Sequence, residues 1–556
     1  MKNRQLLAFV AAAIMLFASC TKDENDTPSG SITGIIDTPT TWTSDKEWIV
    51  EGIVDIESDL VIEPGTTVKF MENSGLSVGY SIAGSISAVG TADDPITFTG
   101  HNNVRWDAIY LYSATNTTKT NFQHCKFSKA GGYGTLIVNN SKLKLESSII
   151  SDCAKSAVVM EDGSEFIAFN NNHLLNCGSH PLELHANVVG TMGTANKIEA
   201  PANKGILIYA GGGMNKGNTW KNMGVPYYLE EYLEVVADLV IGDSVTICFG
   251  PDASMEFGYS DYASLKAIGT ETRPIRFTSS SSNPAAGDWG GLMFYSNNSS
   301  SATELEWCTI EYGGNARTYA LLFMENTQLK MNHCTLRHSE STGVYLLYDG
   351  AFVSCENNSI SHCGNWPVEA EAGSITSFGA SNTITADQGS GIRVFYGSVK
   401  GASNWNAFEA PYLIEEGLIV DENAELMLNA GVNLQFGPSA YLSVGDGSFG
   451  KLVAVGTTEL PVVFTSAAGT PSPGDWSGIF FGAQTRSGST LENCLITYGG
   501  NYYSGMVTVH ECGTNVSIMN NYIAYSSLCG ISTWEANPHI TQNEFVSNEG
   551  GDICIE

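Results

Sequence analysis

Charge is what this 556-residue chain has least of: 15% of its residues are Asp, Glu, Lys or Arg, against roughly 25% in an ordinary globular protein. Bases are scarcer still. There are 26 Lys and Arg against 58 Asp and Glu, for a formal charge of −32. This excludes nucleic acid as a partner, because binding it needs Lys and Arg to displace counterions. A free polyanion or an anionic membrane face would also be repelled. No sustained 3.6-residue apolar period appears, and the composition is not rich in Ala, Glu, Lys, Leu and Arg, which excludes a coiled coil or helical array. Paired Cys-x-x-Cys sets, His-Glu-x-x-His and a P-loop are all missing, which removes the usual zinc sites and nucleotide chemistry. What is abundant is Gly, at 59 residues, within a chain that is 43% hydrophobic and so not disordered.

The first segment reads as an address. Lys2 and Arg4 precede an apolar run, Leu6 to Phe17, too short to span a bilayer and right for a signal h-region. Phe17-Ala18-Ser19-Cys20 follows. It resembles a bacterial lipobox, which implies cleavage after residue 19 and lipidation of Cys20. Thr21-Lys-Asp-Glu-Asn-Asp26 resembles the acidic export signal of Bacteroidetes surface lipoproteins, which implies the outer face of the outer membrane. Residues 20–40 read as a flexible tether, so the lipid anchor is the expected link to the membrane.

Beyond the tether one long unit is repeated three times. Ala88-Val-Gly-Thr-Ala-Asp-Asp-Pro-Ile-Thr-Phe-Thr99 recurs from Ala267 to Thr278 and from Ala454 to Thr465. A second signature centres on Trp106, Trp289 and Trp476, 183 and 187 residues apart, and a third runs from Cys125, Cys308 and Cys494 into a Gly pair. The expected units are 41–225, 226–410 and a truncated 411–556. Within each unit, anchors recur every 22 to 25 residues, as from Asn520-Asn-Tyr-Ile523 to Gln542-Asn-Glu-Phe545. Short β-rich runs lie between them, punctuated by Gly, Asn and Asp.

A repeat of this length built from short strands is one coil of a β-solenoid. Asn suits its corners, since it tolerates the left-handed backbone and its amides can stack as a ladder. Roughly eight coils per unit at about 4.8 Å each predict a rod on the order of 110 Å long. Leu60-Val-Ile-Glu-Pro-Gly-Thr-Thr-Val-Lys-Phe70, Pro274-Ile-Arg-Phe-Thr278 and Gly287-Asp-Trp-Gly-Gly-Leu292 resemble phrases of right-handed parallel β-helix (pectate-lyase-like) proteins, and of bacterial surface lipoproteins with such repeats. The resemblance implies an all-β, right-handed parallel β-helix over residues 41–556. It implies no single function, because this scaffold carries lyases, hydrolases, adhesins and stalks alike.

Cys125, Cys308 and Cys494 share one repeat position, far too distant from each other to bridge, and read as small core residues. Cys153 and Cys177 could fall on neighbouring coils within bridging reach, but a free pair is the expected state. Gly75-Leu-Ser77-Val-Gly79 matches a nucleophile elbow, but that motif needs a strand-to-helix turn; here it alternates as a strand, with Ser77 outward. Asp93-Asp94 is the adjacent Asp pair a pectinolytic site would want, yet it lies in a freely varied turn. Glu230-Glu231 and Glu415-Glu416 recur at unit starts and are the place where calcium could bind, short of its usual six or more oxygen ligands. They read as solvated edge carboxylates, so no metal or cofactor is expected.

The cluster with catalytic residue types is Arg337, His338, Glu340 and His362, with His333 near in sequence. His338 and His362 are one coil apart, and the group is peculiar to the second unit. It is the candidate site if the chain is a polysaccharide lyase or hydrolase. Aromatic residues point to binding instead. Trp106, Trp289 and Trp476 read as packing, whereas Tyr259, Tyr262, Tyr502 and Tyr503, in Gly-rich turns, are the ligand candidates. The expected function is a surface-exposed, non-catalytic binding or adhesion rod for glycans or a surface protein; a lyase or hydrolase and a plain structural spacer are the alternatives. The repeat stops at Gly550-Gly-Asp-Ile-Cys-Ile-Glu556, leaving an unpaired last coil, so weak end-to-end self-association is expected.

Overall fold

The structure is a computed structural model. It describes residues 31–555 except Asp252, Gln388 and Tyr396, so the signal segment, Cys20 and Glu556 lie outside the described residues. Within them are 60 short strands and three 3-10 helices, with no α-helix. Every pairing between these strands is parallel, each strand bonding to its counterpart one coil away. The chain winds through about 22 turns. A parallel crossover of this kind is right-handed in nearly all proteins.

One coil of the first unit defines three faces. The first is the strand Gly75–Val78, the second Ser85–Val89 and the third Ile96–Gly100. Their side chains alternate: Leu76 and Val78, Ile86 and Ala88, Ile96 and Phe98 all point inward and are buried. Parallel stacking places like on like, so one continuous apolar core runs from Ile36 to Ile531. Corners are made by residues in the left-handed region, among them Asn171, Asn357 and Asn520. The Asn that follows each turns inward as an amide ladder. Asn172, Asn358 and Asn521 donate from Nδ2 to Asn196, Asn382 and Asn543 of the next coil, at 3.0 to 3.1 Å.

The three repeated signatures meet in space, which explains why they recur together. Trp106, Trp289 and Trp476 are buried and stack on Phe70, Phe249 and Phe436 at 4.0 to 4.3 Å between centroids. Each indole N–H donates to a carbonyl two or three residues before the Gly pair: Ser128, Glu311 or Thr497. In the later units the Gly pair admits the ring, since a Cβ on Gly313 or Gly499 would sit 2.8 or 2.9 Å from the indole. Cys125, Cys308 and Cys494 are buried and turn their thiols toward the carbonyls of Ala88, Ala267 and Ala454. The Trp side chains are therefore unavailable to a ligand.

The units are not simple translations of one another. A 15-stranded sheet carries the first face of unit one as far as Ile206–Tyr209, then continues from Tyr227–Leu229 as the third face of unit two. A 13-stranded sheet does the same between units two and three, changing role between Ile392–Val394 and Tyr412–Ile414. At each junction a 3-10 helix, Val189–Thr191 or Ala372–Ser377, stands where a second-face strand would be. A new first-face sheet starts beside it. The first faces of the three units consequently lie on three different sheets.

Candidate functional site

The first face of the second unit carries a run of outward aromatic side chains. Its strands include Leu292–Phe294, Ala320–Glu325, Thr342–Leu347, Val368–Ala370 and Ile392–Val394. Alternation sends Leu322, Val344, Val368 and Ile392 into the core. The residues between them point out and stack in register as Met293, Phe323, Tyr345, Glu369 and Arg393. The rings form a strip. Tyr259 meets Tyr295 edge-on at 5.0 Å, Tyr295 leans on Phe323 at 5.8 Å, Phe323 meets Tyr345 at 5.5 Å and Tyr345 meets Phe395 at 5.9 Å. Tyr319 and Tyr348, 62% and 61% exposed, rise at the margins.

Two hollows flank this strip. One, of about 360 Å³, is lined by Tyr319, Phe323, Tyr345, Thr342, Asn365 and Glu369, among others. The other, of about 340 Å³, lies between Tyr259, Tyr295, Ser296, Glu325, Asn326 and Tyr348. Both fall in the size range of small-molecule sites, with apolar walls and a few convergent polar groups. Those polar groups are held in place. The Thr342 hydroxyl donates to Glu369 Oε2 at 3.2 Å. Arg393 pairs with Glu369 and, at 2.7 Å, with Glu415, and its carboxylate partners, Glu415 first, hold the guanidinium pKa above its ordinary value. Burial pushes the Tyr295 hydroxyl up, helped by Glu256 and Glu325. The arrangement offers flat apolar rings, hydroxyls, an amide and carboxylates, which is the chemistry that grips a sugar's C–H face and its hydroxyl rim.

A larger hollow, of about 660 Å³, is elsewhere, at the junction of units one and two. It has no aromatic wall; on its rim Asn187 donates to Asp162 and Asn215 and accepts from the backbone of Asn215 and Lys216.

The catalytic candidates do not converge. Arg337 is bound to Glu311, which is fully buried between it and Arg276. His338 and His362 sit at successive corners with left-handed backbone. They form a ring column with Tyr312, at 5.0 Å per step. Burial pulls the His338 pKa down, and His362 and Arg337 add to this. His333 stacks in the same way on Trp307. The matching corners elsewhere are Lys129, Asp152 and Asn176 in unit one and Tyr498, Tyr525 and Ser547 in unit three, all with positive φ. The histidines thus fill a corner position. Glu340 lies against Gly287, away from this column.

Of the tyrosines singled out in the sequence, Tyr259 belongs to the strip. Tyr262 instead donates to Asp238 Oδ1 at 2.9 Å, across the corner on the second face. Tyr503 stacks on Phe480 at 4.6 Å, and Tyr502, 78% exposed, stands edge-on beside it. His510 and Trp534 continue this smaller patch on the first face of unit three. Tyr295, Phe323, Tyr345 and Phe395 escaped the sequence reading. Their signal was an aromatic residue at the outward position of an alternating strand.

Ser77 lies in a strand, outward as its alternation requires, but is covered between Asp55 and Tyr110 of the adjoining coils. Asp93, Asp94, Glu230, Glu231 and Glu416 are exposed. Among the described residues no group of three or more His, Cys, Asp or Glu side chains is placed to hold a metal ion.

Two family models match the chain. One, a right-handed β-helix region, matches residues 53–228. The other, a pectate-lyase-like β-helix domain, matches residues 214–320 and 400–508, at equivalent places in successive units. Together they span about two thirds of the chain, and the groove from Phe323 to Phe395 falls between the matches. No curated protein and no solved structure matches it.

Proposed function

The chain belongs to the pectate-lyase-like family of right-handed β-helix proteins, and within that family we propose that it is a glycan-binding rod that does not cleave its ligand. The observation that carries this reading is the aromatic strip from Tyr259 to Phe395 with a hollow on each side. Aromatic rings bury large apolar area while keeping a polar tip wet, which suits amphipathic sugar rings. Glu325 and Glu369 line the hollows and the net charge is −32, so the ligand class is a neutral glycan rather than a polyuronate. Against catalysis stands the engagement of Arg337 with Glu311 and of His338 with Tyr312. The rod would be held at the outer face of the outer membrane through lipidated Cys20, projecting its binding faces from the cell.

A glycan array of residues 31–556, with reducing-sugar and unsaturated-product assays alongside, tests the reading. Binding to neutral glycans without product formation is expected. Product release from any bound glycan would make the protein an enzyme. For the anchor, Cys20→Ala is expected to move the protein from the membrane to the soluble fraction.

A further inference from the structure

We infer that Cys153 and Cys177 are a disulfide-forming pair, a covalent staple between two successive coils of the first unit. The two residues are 24 apart in sequence and their Sγ atoms are 2.6 Å apart, well inside the contact distance of non-bonded sulfurs. Both are 3% exposed. Each follows a corner residue with left-handed backbone, Asp152 or Asn176, so the parallel coil step itself brings the side chains together. A second staple of the same kind is present at the other end of the rod, where Cys529 and Cys554, 25 apart, are bonded across one coil.

The other cysteines differ. In unit two the equivalent residues are Ser339 and Cys363, whose side chains are directed to the carbonyls of Thr342 and Ser361. In unit three they are Ser526 and Asn548, joined by a hydrogen bond. Cys308 and Cys334 are also one coil apart and their side chains interact, but each thiol is directed to a backbone carbonyl, of Ala267 or Asn332. Cysteine at both positions of this corner is therefore particular to unit one.

The bond forms by exchange with a protein or small-molecule disulfide. One cysteine thiolate attacks that disulfide, and the second displaces the mixed intermediate. One S–S bond is made and one broken; the two cysteines lose two protons and two electrons, and the oxidant becomes two thiols. Both sulfurs are buried in the finished rod, so the exchange takes place while the coils assemble. Such a bond persists only in an oxidising compartment, which makes it a marker of where the chain folds.

Peptide mapping tests this on residues 31–556 produced by secretion into an oxidising compartment, with free thiols alkylated in denaturant before digestion. The expected result is linked peptides for 153–177 and 529–554 and alkylation of Cys125, Cys308, Cys334 and Cys494. Cys153→Ala should leave Cys177 alkylated and lower the melting temperature by several degrees; reduction should lower the wild type similarly. Alkylation of both Cys153 and Cys177 alongside an intact 529–554 link would overturn the inference. So would a link from either to another cysteine.

Discussion

Arg337 reaches back one coil to Glu311, with Nη2 at 2.7 Å and Nε at 2.8 Å from Oε2. Arg276 holds the other oxygen. In units one and three the place of Glu311 is taken by a hydroxyl, Ser128 or Thr497, bonded to Thr99 or Thr465 of the preceding coil, as Glu311 itself accepts from Thr278. Unit two thus replaces a hydroxyl ladder with a buried carboxylate clamped by two arginines. Glu311→Ala is expected to cost on the order of 2 kcal/mol, less than the roughly 3–5 kcal/mol of a fully buried pair, because both guanidiniums are half-exposed. Burial pushes the Glu311 carboxyl up, but Arg276 and Arg337 together bring it below its ordinary value. Its stabilisation is therefore present above the ordinary Glu range and fades as pH falls through the lowered value. Chemical denaturation against pH, compared between wild type and Glu311→Gln, checks this.

His180 gives an acid-sensitive point in unit one. Burial pulls its pKa down to about 4, and Lys204 adds to the effect; the Gly205 N–H donates to Nδ1 at 3.2 Å, a bond that only the neutral ring nitrogen accepts. The neutral ring packs edge-on against Tyr228. Since the folded pKa is depressed, the contribution is complete above about 6.5, the unfolded value, and is lost as pH falls toward 4. His180→Asn should flatten thermal stability across that window, read by calorimetry at a series of pH values.

Trp289 should behave as core. Trp289→Ala is expected to destabilise the rod by about 3–5 kcal/mol, with no change in affinity per folded molecule. A loss of glycan affinity at unchanged stability would make Trp289 a ligand contact and contradict its place in the core.

The smaller patch on unit three lies on a different sheet from the groove of unit two. One stretched glycan chain running along the groove would not cross it. Phe480→Ala with Trp534→Ala is therefore expected to leave affinity at the unit-two groove unchanged, as independent sites add. Titration calorimetry reads this as a change in stoichiometry alone.

The parallel winding, the corner Asn ladders and the core positions of Trp106 and Cys125 were legible in the sequence, because a solenoid repeats each local rule coil after coil. The site was not. Tyr345 and Phe323 look like ordinary strand apolars until the register shows them on the outer side of the sheet. His338 and His362 looked like chemistry because they are one coil apart. Yet that spacing also defines a corner column, and their place is filled by Asp152 and Asn176 in the first unit. Cys529 and Cys554 were missed as a pair for a related reason. They sit where Ser156 and Thr342 bond Glu183 and Glu369 in the earlier units, a step visible only once strands are aligned.

The most direct test of the glycan-binding account is calorimetric titration of a neutral oligosaccharide, chosen from the array, into wild type and into Phe323→Ala with Tyr345→Ala. The double variant is expected to bind at least about tenfold more weakly, roughly 1.4 kcal/mol, with its melting temperature close to wild type because both side chains face outward. Unchanged affinity in the folded double variant would contradict the account.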